Sequence, residues 1–220
     1  DLYLEEGIMF KKILYPTAFE KFYQDVLGCV MNLKAIGTEE VVLLHVIYAE
    51  NFPHACDGYF LKMANTLRHL IDSQMAEAVK IVESAGLRPT VRIEIGIPHQ
   101  EILRVAEEEN VSLIVCGRER KGYAGEILIG SITDRIVRHG KIPVYVPKCT
   151  DIYGTAAKSA DAFCRDPFRR ILYPTDWSDC AANALRYLKS LKNARVEEVI
   201  VAHVMDEKAM KLQPEEKFRE

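Results

Sequence analysis

An α/β fold, a parallel sheet of five strands with helices on both faces, is what this 220-residue sequence predicts. Three observations carry the prediction. Apolar runs of strand length alternate with amphipathic stretches of helical length, the pattern of right-handed βαβ crossovers. One run, Val41-Val42-Leu43-Leu44-His45-Val46, is apolar without alternation, as a strand covered on both faces must be. Residues 9–47 also recur as residues 167–205, offset by 158 without a gap, with 14 of 39 positions identical and the run Ile-Leu-Tyr-Pro-Thr intact.

The elements follow in order. Lys12-Ile13-Leu14-Tyr15 is a short strand stopped by Pro16, which cannot donate to a central ladder. Residues 19–36 carry Phe22, Val26, Cys29, Val30 and Leu33 at helical spacing, closed by Gly37. The strand 41–46 follows, then a long amphipathic helix over 60–85 ending at Gly86. Residues 90–95 alternate and belong nearer a sheet edge. A helix over 99–109, a strand over 113–116, a glycine-containing loop, a helix over 131–139 and a fifth strand over 144–146 complete the unit. The segment 149–166 is small and polar and reads as a linker. Residues 167–220 then open a second copy, with a strand at 170–173, a helix at 179–193 and a strand at 198–204. Two strands and a helix are too little to bury their own apolar faces, so the expectation is a tandem chain with a truncated second domain.

Composition narrows the function. Hydrophobic residues at 49% and charged residues at 28% exclude a mostly disordered chain. A formal charge of −3 is not the footprint of a nucleic-acid binder. No run of about 18 apolar residues marks a membrane span. The opening Asp1-Leu2-Tyr3-Leu4-Glu5-Glu6 lacks the pattern of a signal peptide, so a cytoplasmic location is expected. Six cysteines, at 29, 56, 116, 149, 164 and 180, show no C-x-x-C spacing and read as buried or incidental thiols of a reducing compartment. No cluster of Cys and His has zinc-ligand spacing, and no nucleophile–base–orienter set can be assembled, so neither a metal site nor catalytic residues are expected.

Open parallel sheets bind ligands beyond the carboxyl ends of their strands, where the strand order reverses. Three segments should meet there: Pro16-Thr17-Ala18, His45-Val46-Ile47, and the chain from Gly117 onward. The ILYPT opening, the strand ending in His45-Val46, the turn Gly96-Ile97-Pro98, and Gly117 with Gly130-Ser131 before a helix and the strand Pro143-Val144-Tyr145-Val146 together resemble the universal stress protein family. The resemblance covers about 9–148 fully and 167–205 as a second amino-terminal part. It implies a Rossmann-like three-layer sandwich over 9–148, followed by the opening β-α-β of a second copy. It also implies a stress-response regulator that binds AMP, ADP or ATP, with Mg²⁺ accompanying ATP, and at most slow ATP hydrolysis. Family members often pair through the fifth strand, which implies a homodimer through residues 143–147; an unpaired apolar edge favours the same outcome.

Carried onto this sequence, the family's nucleotide contacts fall on Pro16, Thr17, Ala18, Val46, Cys116, Gly117, Arg120, Gly130, Ser131, Ile132 and Thr133. In the second copy they fall on Pro174, Thr175, Asp176 and Val204. Two positions depart from the family. Ala18 replaces the usual acid, which Asp176 retains, and Arg120 replaces the middle glycine of the phosphate loop, where glycine lets backbone amides approach the phosphates. The Arg120 guanidinium would either grip a phosphate or fill the pocket. Some family members bind no nucleotide, so a nucleotide-free interaction module with a degenerate site is the alternative; an ATP-consuming transferase has no sequence support for a substrate site. His45 and His203 read as packing residues at strand ends, Glu107-Glu108-Glu109 as the exposed end of a helix, and Met63, Leu70 and Met75 as core or dimer packing. Arg118-Glu119-Arg120-Lys121 reads as phosphate-facing or solvated, and 54–66 as core packing with a pocket lid as the competing role.

Overall fold

A computed structural model describes residues 10–19, 23–48, 57–117, 119–120, 127–147, 166–191 and 194–205. The chain divides into two compact units, Asp1–Asp166 and Pro167–Glu220. In the first, strand β1 (Lys12–Pro16) leads to helix α1 (Tyr23–Asn32) and a 3₁₀ turn (Leu33–Ile36). Gly37 closes that turn at φ 96°, donating its N–H to Lys34, a left-handed geometry that glycine adopts without strain. Strand β2 (Glu40–Tyr48) and helix α2 (Asp57–Ser84) follow, and Gly86, at φ 71°, ends α2 as the sequence predicts. Next come β3 (Arg88–Gly96), α3 (Pro98–Glu108) and β4 (Leu113–Val115). The unit ends with β5 (Glu119–Arg120), β6 (Ile127–Leu128), α4 (Ser131–His139) and β7 (Val144–Tyr145).

The main sheet is parallel throughout, in the order β3-β2-β1-β4-β7. This is the expected five-stranded α/β architecture, with the alternating segment at an edge. Side chains alternate across each strand, so Leu14, Val42, Leu44 and Ile114 share one face. They form a buried cluster with Ile102, Val105 and Ala106 of α3 and Ile136 of α4. Helices α1 and α2 pack together, and Leu27, Val30, Met75, Ala78 and Val82 on them are buried. The loop expected between Gly117 and Gly130 contains a two-stranded antiparallel pair, Glu119 opposite Leu128 and Arg120 opposite Ile127. Strands this short leave no alternation to read. The side chains of 57–68, and with them Met63, lie outside the described residues, as do most of the linker, the lid segment and the basic segment.

Glu107-Glu108-Glu109 was expected to be a plain exposed helix end, and two of the three are more than that. Arg92 on β3 bonds Glu94, Glu108 and Glu109, and Arg104 on α3 bonds Glu94, Glu101 and Glu108. Lys12 of β1 reaches Glu109 at 2.7 Å, so one network joins the sheet to α3. Lys12 and Arg92 hold the Glu109 carboxyl below the ordinary carboxylate range. Its stabilising contribution is therefore present above about pH 4.5, the ordinary value, and is lost as acid protonates it. Arg92→Ala should lower stability by about 1–2 kcal/mol at neutral pH. Urea midpoints at low and high salt check this, and the difference between variant and native should shrink at about 1 M salt.

In the second unit, β8 (Arg170–Pro174) pairs in parallel with β9 (Glu198–Ala202), and α5 (Asp179–Ser190) connects them. The repeat extends to register: Lys12 stands opposite Glu40 in the first unit, and Arg170 opposite Glu198 in the second. Helix α5 begins at a serine cap, where Ser178 Oγ accepts from the N–H of Ala181 at 3.2 Å.

Candidate functional site

The strand order runs outward from β1 through β2 to β3, and from β4 to β7 on the other side. Loops leaving the carboxyl ends of β1 and β4 therefore diverge, at the switch point where open parallel sheets form a ligand crevice. Pro16 ends β1, and the ladder continues one residue further because the N–H of Thr17 donates to Leu44 O at 2.8 Å. Thr17 is buried, its Oγ1 accepts from the N–H of Phe19 at 3.1 Å, and its carbonyl lies 2.8 Å from His45 Nδ1. The Phe19 ring stacks on His45 with centroids 5.3 Å apart. Burial lowers the His45 pKa, which favours the neutral ring, against a smaller opposing effect of its bond to Thr17. Ala18, between these anchors, is exposed and has no side-chain acceptor to offer there. Val46 is half-buried near the end of β2.

On the other side of the crevice, Cys116 and Gly117 follow β4, and the N–H of Cys116 donates to Tyr145 O at 2.9 Å. Gly130 is the N-cap of α4, with Ser131 and Ile132 exposed at the helix start and Thr133 buried. Thr133 Oγ1 donates to Gly117 O at 3.2 Å, which ties the start of α4 to the end of β4. The first intrahelical bond runs from Asp134 to Gly130 O, so the N–H groups of 131–133 point out of the helix end with its positive dipole. Arg138 and His139 occupy the last turn, where cations suit the opposite pole. The backbone of Arg120 lies in β5, paired with Ile127, rather than in an open glycine turn. Among the described residues, no group of three or more His, Cys, Asp or Glu is placed to hold a metal, and no helix is long and apolar enough to cross a membrane.

The second unit rebuilds the first half of this arrangement. Thr175 is buried, its Oγ1 accepts from the N–H of Trp177 at 3.1 Å, and its carbonyl lies 2.7 Å from His203 Nδ1. Pro174 and Asp176 are exposed, and Asp176 Oδ1 accepts from the N–H of Ser178 at 3.0 Å; the Ser178 hydroxyl first, and this N–H second, lower the Asp176 pKa. Val204 is exposed beyond β9. The sequence reading took both histidines as packing residues; their recurrence together with Pro-Thr and an aromatic was the signal for a built cluster.

The cysteines divide. Cys116 is buried, and burial pushes its thiol up to about 12, so it is chemically inert. Cys180 is an exposed free thiol. Cys29 is disulfide-bonded, which corrects the expectation of thiols throughout; spacing along the chain does not report which cysteines meet in space. Site-resolved alkylation of the native protein should modify Cys180 within minutes and Cys116 only in denaturant. Labelling of Cys116 in the native state would mean that the β4 end opens.

The fold is that of a parallel α/β protein with a topological switch point between β1 and β4. Residues 9–148 match the universal stress protein family, and the chain belongs to that family. Universal stress protein MJ0577 of Methanocaldococcus jannaschii is 32% identical over an alignment of 157 residues that covers 64% of this chain and 97% of the relative. A solved structure of the MJ0577 protein superposes with a TM-score of 0.56 at 36% identity, covering 63% of this chain and 95% of that one. A universal stress protein from Archaeoglobus fulgidus aligns over 94% of this chain and 71% of its own, at 25% identity and a TM-score of 0.67. That alignment takes in both units.

Proposed function

We propose that the first unit binds an adenine nucleotide, AMP, ADP or ATP, and acts as a stress-response regulator whose occupancy changes its conformation or its partners. The observation that carries this reading is the start of α4, whose outward N–H groups are tied by Thr133 to the carboxyl end of β4 at the switch point. The base and ribose would lie along Pro16–Ala18 and Val46. The phosphates would lie on Gly117, Arg120 and residues 130–133, with Mg²⁺ carried in on the phosphates of ATP. The second unit is read as a partial copy that keeps the Pro174-Thr175-Asp176 corner. Strand β7 is the outer strand of the main sheet, and two chains would pair through residues 143–147 into a homodimer. Titration calorimetry with AMP, ADP and ATP tests binding, and light scattering at micromolar concentration tests pairing. Absence of heat and of any thermal shift at millimolar nucleotide would overturn the first reading.

A second reading, a nucleotide-free interaction module, is favoured by two positions. Position 18 offers no carboxylate and position 120 lies in a strand pair, so both ends of the family's site have changed.

A further inference from the structure

We infer that His45 is a positioning residue of this site: Nδ1–H holds the Thr17 carbonyl, and the ring supports Phe19, fixing the loop beside the crevice between β1 and β4. The proposal rests on the nucleotide reading for its ligand and deepens it. A carbonyl oxygen only accepts, so the His45 proton sits on Nδ1 and Nε2 is left as an acceptor. The N–H, carbonyl and hydroxyl oxygen of Thr17 are each engaged, by Leu44, His45 and Phe19, so Thr17 is scaffold and residue 18 is what the loop presents.

Phe19 sits at φ 54°, a left-handed region that non-glycine residues avoid unless their surroundings over-determine it. Here the surroundings do so twice, through the Thr17 hydroxyl and through the His45 ring. The second unit repeats every part. Trp177 sits at φ 65°, bonded to Thr175 Oγ1, with its ring 5.7 Å from that of His203, and His203 bonds the Thr175 carbonyl. The sequences differ inside the two loops, Ala18 against Asp176 and Phe19 against Trp177. What survives those differences is the geometry, and it survives whether or not the acid is present. A cluster that served only to bury a histidine would not require the aromatic to adopt the same disfavoured backbone in both copies.

The test compares His45→Phe, which keeps a ring and removes the donor, with His45→Asn, whose amide nitrogen takes the place of Nδ1. Arg92→Ala, outside the site, controls for plain loss of stability. Long-range proton–nitrogen NMR of the native protein should show the Nδ1–H tautomer at both His45 and His203. Amide exchange at Phe19 should accelerate about tenfold or more in His45→Phe, AMP and ATP affinity should fall about tenfold, and His45→Asn should recover most of both losses. Arg92→Ala should change neither. An Nε2–H tautomer at His45, or unchanged Phe19 exchange in His45→Phe, overturns the positioning role. Unchanged nucleotide affinity in His45→Phe overturns its link to the site. A native protein that binds no nucleotide refutes the nucleotide reading and with it the ligand of this proposal, while the tautomer and the exchange rates still decide whether His45 holds the loop.

Discussion

Leu14→Ala should destabilise the first unit by about 2–5 kcal/mol, whereas Leu172→Ala, the same repeat position in the second unit, should cost less than about 0.5 kcal/mol. The two leucines sit in identical local sequence, Ile-Leu-Tyr-Pro-Thr, on strands of identical length. Leu14 is fully buried in the cluster with Ile102, Val105, Ala106 and Ile136 of α3 and α4. Leu172 is 63% exposed, and Ile200 beside it is exposed as well. The difference is tertiary: removing Leu14 leaves a cavity that packed helices cannot close, and removing Leu172 leaves water where water already was. Urea unfolding followed by circular dichroism reads the first change. Fluorescence of Trp177, the single tryptophan, reads the second unit separately. A large loss from Leu172→Ala would mean that this face is covered in solution, by a surface equivalent to α3 and α4.

That comparison also marks what the sequence could and could not disclose. Periodicity and punctuation located the elements of the main sheet, and the helix 131–139, Gly37 and Gly86 fell where the structure has them. These are local matters: apolar spacing and a residue that tolerates positive φ. What escaped depends on distant partners. Lys12 and Glu109 are 97 residues apart, and nothing in either neighbourhood announces their bond. The β5–β6 pair consists of two residues on each side, too short for a pattern. Positive φ at Phe19 and Trp177 runs against propensity and was invisible for that reason; it appears where tertiary contacts override local preference. At the site, the loop ends were legible as the ends of strands. The bonds from Thr17 to His45 and from Thr133 to Gly117 needed coordinates.

Repairing the two changed positions should raise nucleotide affinity. Ala18→Asp places a carboxylate where the second unit already carries one, and Asp176 shows that this loop geometry accommodates it. One charge-assisted hydrogen bond is worth about 1.5–3 kcal/mol, roughly tenfold to a hundredfold in affinity. Arg120→Gly should open the backbone to phosphate oxygens, at some cost to the pairing with Ile127, since glycine weakens a strand. Together the changes should give on the order of 2–4 kcal/mol, about thirtyfold to a thousandfold. In the proposed site both positions would face one ligand, so a double-mutant cycle by calorimetry is the proper measurement. ATP should gain more than AMP from the glycine, because in the proposed site its outer phosphates would be the ones to reach this loop. If Arg120 grips a phosphate in the natural protein, Arg120→Gly alone should weaken ATP binding, and that loss should diminish as salt rises. Should neither substitution alter the affinity for AMP or ATP, the phosphate and base assignments fail together, and the nucleotide-free module becomes the better account of Ala18 and Arg120.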